Sequence, residues 1–195
     1  DKRINYYKSN KYLKLYDARN KAIKKSKGEY ITFLDVDDEW HHEKLKYQID
    51  QFHKYDLDVS YTNYWISRNN KKKLFKKNIE CSDIKDQILN DYPVGILTTM
   101  IKSDIFYKKN YLFNRDYEII GDFDLFFRLS KRFKFKCINK PLATCNIHGN
   151  NLMIKKLNVE INEFKKWYSS NKYFLVNNKN NILENNRIRE CNLLY

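Results

Sequence analysis

The sequence predicts an α/β domain with a mixed, mainly parallel central sheet flanked by helices. Three observations point there. Residues 30–34 (YITFL) form an unbroken apolar, β-rich run between Gly28 and a set of acids, as expected of a strand covered on both faces. Apolar residues recur at helical spacing before that run, over 11–27, and after it, over 43–54. A second β-rich run, 58–66 (DVSYTNYWI), follows the second helical stretch, so strands and helices alternate.

The composition sets the outer limits. At 195 residues the chain suits one domain with a single core, and its patterned Leu, Ile, Phe and Tyr exclude a disordered polymer. A net charge of +14 implies attraction to something anionic, whether nucleic acid, anionic lipid or a phosphorylated substrate, unless the lysines serve only for solvation. Cys81, Cys137, Cys145 and Cys191 are widely spaced and form no CxxC pair. Cys145 and His148 would be half a zinc site without a second half, so incidental thiols in a reducing compartment are expected. No secretory leader and no membrane-length apolar run are visible. The expected location is cytoplasmic, with contact at the inner face of a membrane as an option.

Taken in order, the chain opens with a basic segment carrying Arg3, Lys8, Lys11 and Lys14, and with a strand-like piece at 4–7. The helix predicted over 11–27 places Leu15, Ala18, Ala22 and Ile23 inward and lysines outward. The stretch 28–40, GEYITFLDVDDEW, organises the rest. Asp35, Asp37 and Asp38 gather where the apolar run ends, the sheet edge at which open α/β folds bind ligands. Clustered carboxylates repel one another and persist where a hard cation or polar ligand compensates them. On residues alone, the cluster fits a metal site or an acidic turn capping the next helix.

The wider pattern, ARNKAIKKSKGEYITFLDVDDEWHHEKL over 18–45, resembles the family-2 glycosyltransferases, nucleotide-sugar-dependent enzymes with the GT-A fold. The residues that carry the resemblance are Ala18, Arg19, Asn20, Gly28, Glu29, Tyr30, Ile31, Leu34, Asp35, Asp37, Asp38 and Trp40. It extends over about residues 1–151, which would form a partial catalytic domain, with 152–195 as a helical and polar extension. It further implies that an initial βα unit, with a Pro-x-Tyr-Asn-type loop and a base-gripping acid, is missing, so the chain reads as N-terminally truncated.

Downstream, Leu45, Ile49 and Phe52 predict the apolar stripe of a second helix. His41, His42 and His53 are expected at the surface or as caps, and the His41–His42 pair is not read as a metal site. The lysines Lys71, Lys72, Lys73, Lys76 and Lys77 fit a solvated hairpin or loop better than a phosphate- or membrane-facing patch. Residues 95–105 (GILTTMIKSDI), with Thr98, Thr99 and Met100, resemble the family's strand and short helix on the acceptor side. Residues 114–129 resemble its ED-x-DL-x-x-RL segment through Asp122, Asp124, Leu125, Arg128 and Leu129, with Gly121 replacing the expected Glu. Asp122 follows a glycine and opens an apolar helix, where free N–H groups and the dipole favour an ionised carboxylate. Asp124 must face elsewhere. Residues 133–147 read as two short strands broken at Pro141, followed by His148-Gly149-Asn150-Asn151, which resembles the family's strand ending in His with a nearby Asn. A helix is expected over 159–175 with Phe164, Trp167, Tyr168 and Phe174, then a polar Asn-rich tail.

The resemblance implies inverting transfer of a sugar from a nucleotide-diphosphate donor to a glycan or lipid-linked acceptor, in surface polysaccharide or lipopolysaccharide synthesis. Mg²⁺ or Mn²⁺ would be held by Asp37, with Asp38 and His148 as further candidates, and Asp35 would touch ribose or metal-bound water. Arg19 and nearby lysines, Lys14 among them, would stabilise the leaving diphosphate. Asp122 would be the base. Three other readings compete: a basic nucleic-acid-binding module, an inactive truncated relative, and a DxD phosphatase. The first lacks a zinc pattern, RNP-like segment or recognition helix, so no nucleic-acid partner is expected. The third is opposed by Asp38-Glu39-Trp40 after the DxD.

Overall fold

The structure, a computed structural model, describes residues 1–69, 71–76, 84–149, 151 and 155–177. Lys77, Cys81, Asn150, Cys191 and the tail beyond 177 lie outside the described residues, as does the side chain of Phe174. In chain order the elements are α1 (Leu15–Lys25), β1 (Tyr30–Ile31), β2 (Glu39–Trp40), α2 (Lys44–Tyr55), β3 (Val59–Arg68), β4 (Lys71–Leu74) and α3 (Ile84–Asn90). A 3₁₀ turn (Ile96–Thr98), β5 (Met100–Lys102), α4 (Asp104–Tyr107), α5 (Gly121–Ser130), β6 (Phe135–Ile147) and α6 (Leu157–Asn177) follow.

The six strands form one sheet in the order β1-β5-β3-β6-β2, with β4 added to β3. It is mixed, as predicted, but not mainly parallel. The β3–β6 pairing is parallel, whereas β1–β5, β3–β5, β2–β6 and β3–β4 are antiparallel. Because β5 runs against both of its neighbours, β1, β3 and β6 share one direction. The long β3–β6 pair, from Val59↔Phe135 to Arg68↔Ile147, is the spine of the sheet.

Several local expectations need correction. Residues 4–7 form no strand, and Ile4, Tyr6 and Tyr7 are exposed. The apolar run 30–34 pairs only at Tyr30 and Ile31 and is not covered on both faces, since Leu34 is 45% exposed. Among the described strands β1 is terminal in the sheet, flanked by β5 alone. Residues 135–147 make one strand rather than two. Pro141 is accommodated at a register shift opposite Asn63, where a bulge tolerates its missing N–H.

Both early helices turn a different face inward from the one their apolar residues predict. On α1 the buried positions are Tyr16, Arg19, Asn20 and Ile23, while Ala18 and Ala22 are exposed. On α2 they are Lys44, Gln48 and Phe52, while Leu45 is exposed. The buried polar groups are paired, which makes their burial tolerable. The Asn20 amide exchanges two hydrogen bonds with the Phe113 backbone, at 2.9 and 3.0 Å. Gln48 donates to Ser60 Oγ and the Thr98 carbonyl at 2.9 and 3.0 Å, and accepts from Lys44 Nζ at 2.7 Å.

The core lies between the sheet and α5. It includes Val59, Tyr61, Ile101, Phe106, Phe113 and the apolar face of α5. α6 joins the same core: Trp167 packs edge-on against Phe123 and Phe127 at centroid distances of 4.9 and 4.8 Å. The helical part of the 152–195 extension is therefore fixed to α5. The lysine-rich stretch forms the expected hairpin, β4 on β3, with Lys71, Lys72 and Lys73 exposed and Lys76 paired with Asp91.

Candidate active site

The acids after β1 are held by contacts with the far end of β6. The Asp38 N–H donates to the Asp35 carbonyl at 3.1 Å, closing a turn, and β2 then pairs with β6 at Glu39↔Thr144 and Trp40↔Ala143. That pairing brings Asn146 against the turn. Its N–H donates to Asp38 Oδ1 at 3.0 Å and its side-chain amide to the Asp37 carbonyl at 2.7 Å. Trp40 anchors the exit of the turn through Nε1 to the Leu97 carbonyl, 2.8 Å.

The three carboxylates do not converge on one point. Asp35 is engaged by Arg19, whose Nη2 lies 2.7 and 2.8 Å from its two oxygens. Asp38 turns into the protein toward Asn146 and Cys145. Burial, reinforced by the nearby Asp37 and Asp35 charges and opposed by the Asn146 N–H, pushes its carboxyl up to about 6. The same environment pushes the Cys145 thiol up to about 12, with burial the largest cause, so it is an inert thiol. Asp37 Oδ2 receives His148 Nε2 at 2.9 Å and Asn151 Nδ2 at 3.2 Å. Asn151 Oδ1 in turn accepts the His148 N–H at 2.5 Å, closing the 146–151 loop around Asp37.

Asp122 stands in the first turn of α5, as predicted, and its Oδ1 accepts the Phe123 N–H at 2.9 Å. The loop before it is gripped from α6. The Glu163 carboxylate accepts the N–H groups of Glu118, Ile119 and Ile120 at 2.5, 3.0 and 3.1 Å. Asp124 faces away, as expected, bonded to Trp167 Nε1 at 3.2 Å and Arg128 Nε at 2.9 Å. It is a tie between α5 and α6.

α1 links the two acid groups. Tyr16 and Arg19 are three residues apart and share one face. Tyr16 Oη accepts the Asp122 N–H at 3.2 Å, while Arg19 reaches Asp35 and lies 5.8 Å from the Tyr16 ring centroid. Lys14, by contrast, is exposed at the start of α1 and forms no ion pair among the described residues. Thr98 and Thr99 are fully buried and bond the Gly95 and Ile96 carbonyls, so their hydroxyls are spent locally.

For a divalent cation, the fitting donors are Asp37 and His148, an oxygen and an imidazole nitrogen within 3 Å of each other on an accessible edge. An N/O pair suits Mn²⁺ better than the all-oxygen set preferred by Mg²⁺. Asp38 is less well placed, because one of its oxygens already serves Asn146. Among the described residues, His41, His42 and Glu43 also gather three ligand atoms. All three are exposed and Glu43 is already paired with Lys140 at 3.0 Å.

Sequence reasoning missed Tyr16 and Glu163. The first left a trace, an aromatic one helical turn before Arg19 together with a glycine at 121. The second left none, since a Glu on an amphipathic helix reads as surface.

Sheet, acidic turn and helix-borne aspartate together define a GT-A glycosyltransferase fold. The chain belongs to glycosyl transferase family 2, whose model matches residues 1–159. It is 31% identical over 155 residues to an uncharacterized glycosyltransferase of Rickettsia bellii, covering 77% of this chain and 22% of that protein. It is 35% identical over 85 residues to the Escherichia coli UDP-Glc:alpha-D-GlcNAc-diphosphoundecaprenol beta-1,3-glucosyltransferase WfgD, covering 43% of this chain and 33% of the relative. The amylovoran biosynthesis glycosyltransferase AmsB of Erwinia amylovora is 28% identical over 152 residues, covering 72% and 50%. Among solved structures, S. aureus TarS 1–349 with UDP-GlcNAc superposes with a TM-score of 0.56 at 17% identity, covering 69% of this chain and 39% of that one. The chain thus spans between a fifth and a half of the length of these curated relatives.

Proposed function

We propose that the chain carries the donor and base sites of an inverting glycosyltransferase. It would take a UDP-sugar and act on a lipid-linked glycan in surface polysaccharide synthesis. The observation that carries the reading is the bridge on α1: Tyr16 touches Asp122 and Arg19 holds Asp35, so acids 87 residues apart in sequence share one helix face. The choice of UDP rests on relatives and neighbours named for UDP-Glc and UDP-GlcNAc. The acceptor class rests on the diphosphoundecaprenol acceptor in the name of WfgD. No helix among the described residues is long and apolar enough to cross a membrane. A basic chain of net charge +14 is suited to an anionic membrane surface, where such an acceptor would reside.

In this reading Asp122 takes the proton of the acceptor hydroxyl as that oxygen attacks the anomeric carbon. The bond from that carbon to the β-phosphate oxygen breaks, the electron pair leaves with UDP, and the configuration inverts. A positioned base of this kind is worth about 10²–10⁴-fold. Asp37 and His148 would hold the divalent ion, which supplies charge neutralisation of the diphosphate. Arg19 fixes Asp35 at the nucleotide side. The exposed lysines, Lys14 included, add a general positive field rather than a defined contact.

The test is calorimetric titration with UDP and GDP in Mn²⁺ and in EDTA. The expected result is Mn²⁺-dependent binding that favours UDP and disappears in Asp37→Ala. Equal binding in EDTA would remove the metal from the reading, and no binding of either nucleotide to a folded chain would remove the donor site.

A further inference from the structure

Gly121 stands where the family pattern has a glutamate, and the structure supplies a reason for the glycine. A Cβ on Gly121 would fall 2.5–2.7 Å from three ring atoms of Tyr16, closer than real Cβ atoms come to a neighbour. The ring is 1% exposed and stacks on Phe113 at 5.2 Å, so it cannot swing aside. Tyr16 therefore fills the space beside the backbone that a side chain at 121 would need, and it ends against the next residue, Asp122.

We propose that Tyr16 is a positioning residue for Asp122, packed into the space a side chain at 121 would need. The proposal deepens the glycosyltransfer reading and rests on it. The geometry is specific about how the hydroxyl acts. Its single proton goes to the Ile119 carbonyl, 2.5 Å away, leaving its lone pairs to accept the Asp122 N–H at 3.2 Å. Asp122 Oδ1 lies 3.4 Å from the same oxygen, a longer contact than the one that takes the proton. The hydroxyl thus pins the backbone on both sides of Gly121 without committing a donor to the carboxylate. Asp122 is held in place with Oδ1 on the Phe123 N–H and Oδ2 left to receive an incoming proton. Burial, with the Asp122 charge in support, raises the phenol far above its ordinary range, so it stays a neutral hydroxyl throughout. Because Arg19 stacks beside the same ring, placement of the base and of Asp35 shares one rigid element.

The experiment uses the full chain with UDP-glucose and UDP-N-acetylglucosamine in Mn²⁺. UDP release to water is followed, and UDP binding is measured by calorimetry. Tyr16→Phe keeps the ring and removes only the hydroxyl. The expected result is UDP affinity within about twofold of wild type, with turnover at saturating donor falling roughly 10- to 100-fold, the scale of misplacing a reacting group. In an Asp122→Asn background the same substitution should change nothing further. A second pair reads the packing without activity: Gly121→Ala should lower the melting temperature in the wild-type chain and not in Tyr16→Ala. Full turnover in Tyr16→Phe, or a drop that persists without Asp122, overturns the proposal and leaves the transfer reading intact. A wild-type chain that neither binds UDP nor releases it overturns the transfer reading, and this role with it.

Discussion

Arg19 meets Asp35 through one nitrogen, Nη2, at 2.7 and 2.8 Å from the two carboxylate oxygens, an end-on pair. The guanidinium lies 5.8 and 5.9 Å from the Tyr16 and Phe113 ring centroids, and its side chain is 9% exposed against 44% for Asp35. The pair therefore has a buried, stacked cation and a half-open anion that can still face a ligand. Lysine cannot reproduce the stacking or the planar spread of charge. Arg19→Lys is expected to cost about 1 kcal/mol of stability and to weaken UDP binding, both at low salt. Unchanged calorimetry and an unchanged melting temperature would show that charge alone suffices at this position.

His148 offers a sharper test of the metal. It touches Asp37 through Nε2, while Asn151 holds its backbone, so His148→Ala removes the proposed ligand and leaves the Asn151–Asp37 bond in place. The expected outcome is a UDP affinity roughly tenfold lower in Mn²⁺, about 1.4 kcal/mol, and no change in EDTA. An equal loss in both media would mean that the imidazole shapes the loop and does not ligate.

Lys44 should make stability depend on pH. Its amine is fully buried, bonded to Gln48 Oε1 at 2.7 Å and 4.5 Å from the Trp40 ring centroid. Burial brings it down to about 7, from the ordinary lysine range near 10.4. Below about pH 7 both folded and unfolded chains carry the proton, and the cost of burying the charge is felt in full. Between about 7 and 10.4 the unfolded chain holds a proton that the folded chain has shed, so stability rises with pH. Lys44→Met should remove that slope. Melting temperatures from pH 6.5 to 9.5 should show wild type gaining on the variant as pH increases; parallel curves would place the amine in water.

Lys44 also marks where the sequence stopped being informative. The acidic turn, the helix opened by Asp122 and the divergent facing of Asp124 were legible because glycine, acids and apolar runs mark them locally. The inward faces of α1 and α2 were not, since Arg19, Asn20 and Gln48 are polar residues whose partners lie outside their own helices, at Asp35, Phe113, Ser60 and Thr98, and Lys44 is buried against Gln48 one turn along α2. Hydrophobic periodicity assigns such residues to solvent, and here they sit where two helices approach the site. Pro141 misled in the opposite sense: it reads as a strand break, yet β6 runs through it because its register with β3 slips at that point.

Glu163 provides the last test, because its hydrogen bonds among the described residues hold the loop that leads to Asp122. Its two oxygens take three consecutive N–H groups, those of Glu118, Ile119 and Ile120, in the loop that leads into the start of α5. Glu163→Gln keeps one accepting oxygen and replaces the other with a donor that opposes an N–H, so at least one bond turns repulsive. A loss of about 1–3 kcal/mol is expected from the unsatisfied donors. The loop would then sample positions that displace Asp122 while the Asp37–His148 edge, held by Asn146 and Asn151, stays as it is. UDP binding in Mn²⁺ should therefore survive in Glu163→Gln while UDP release slows. If binding and release fell together, α6 would be supporting the whole site rather than its base.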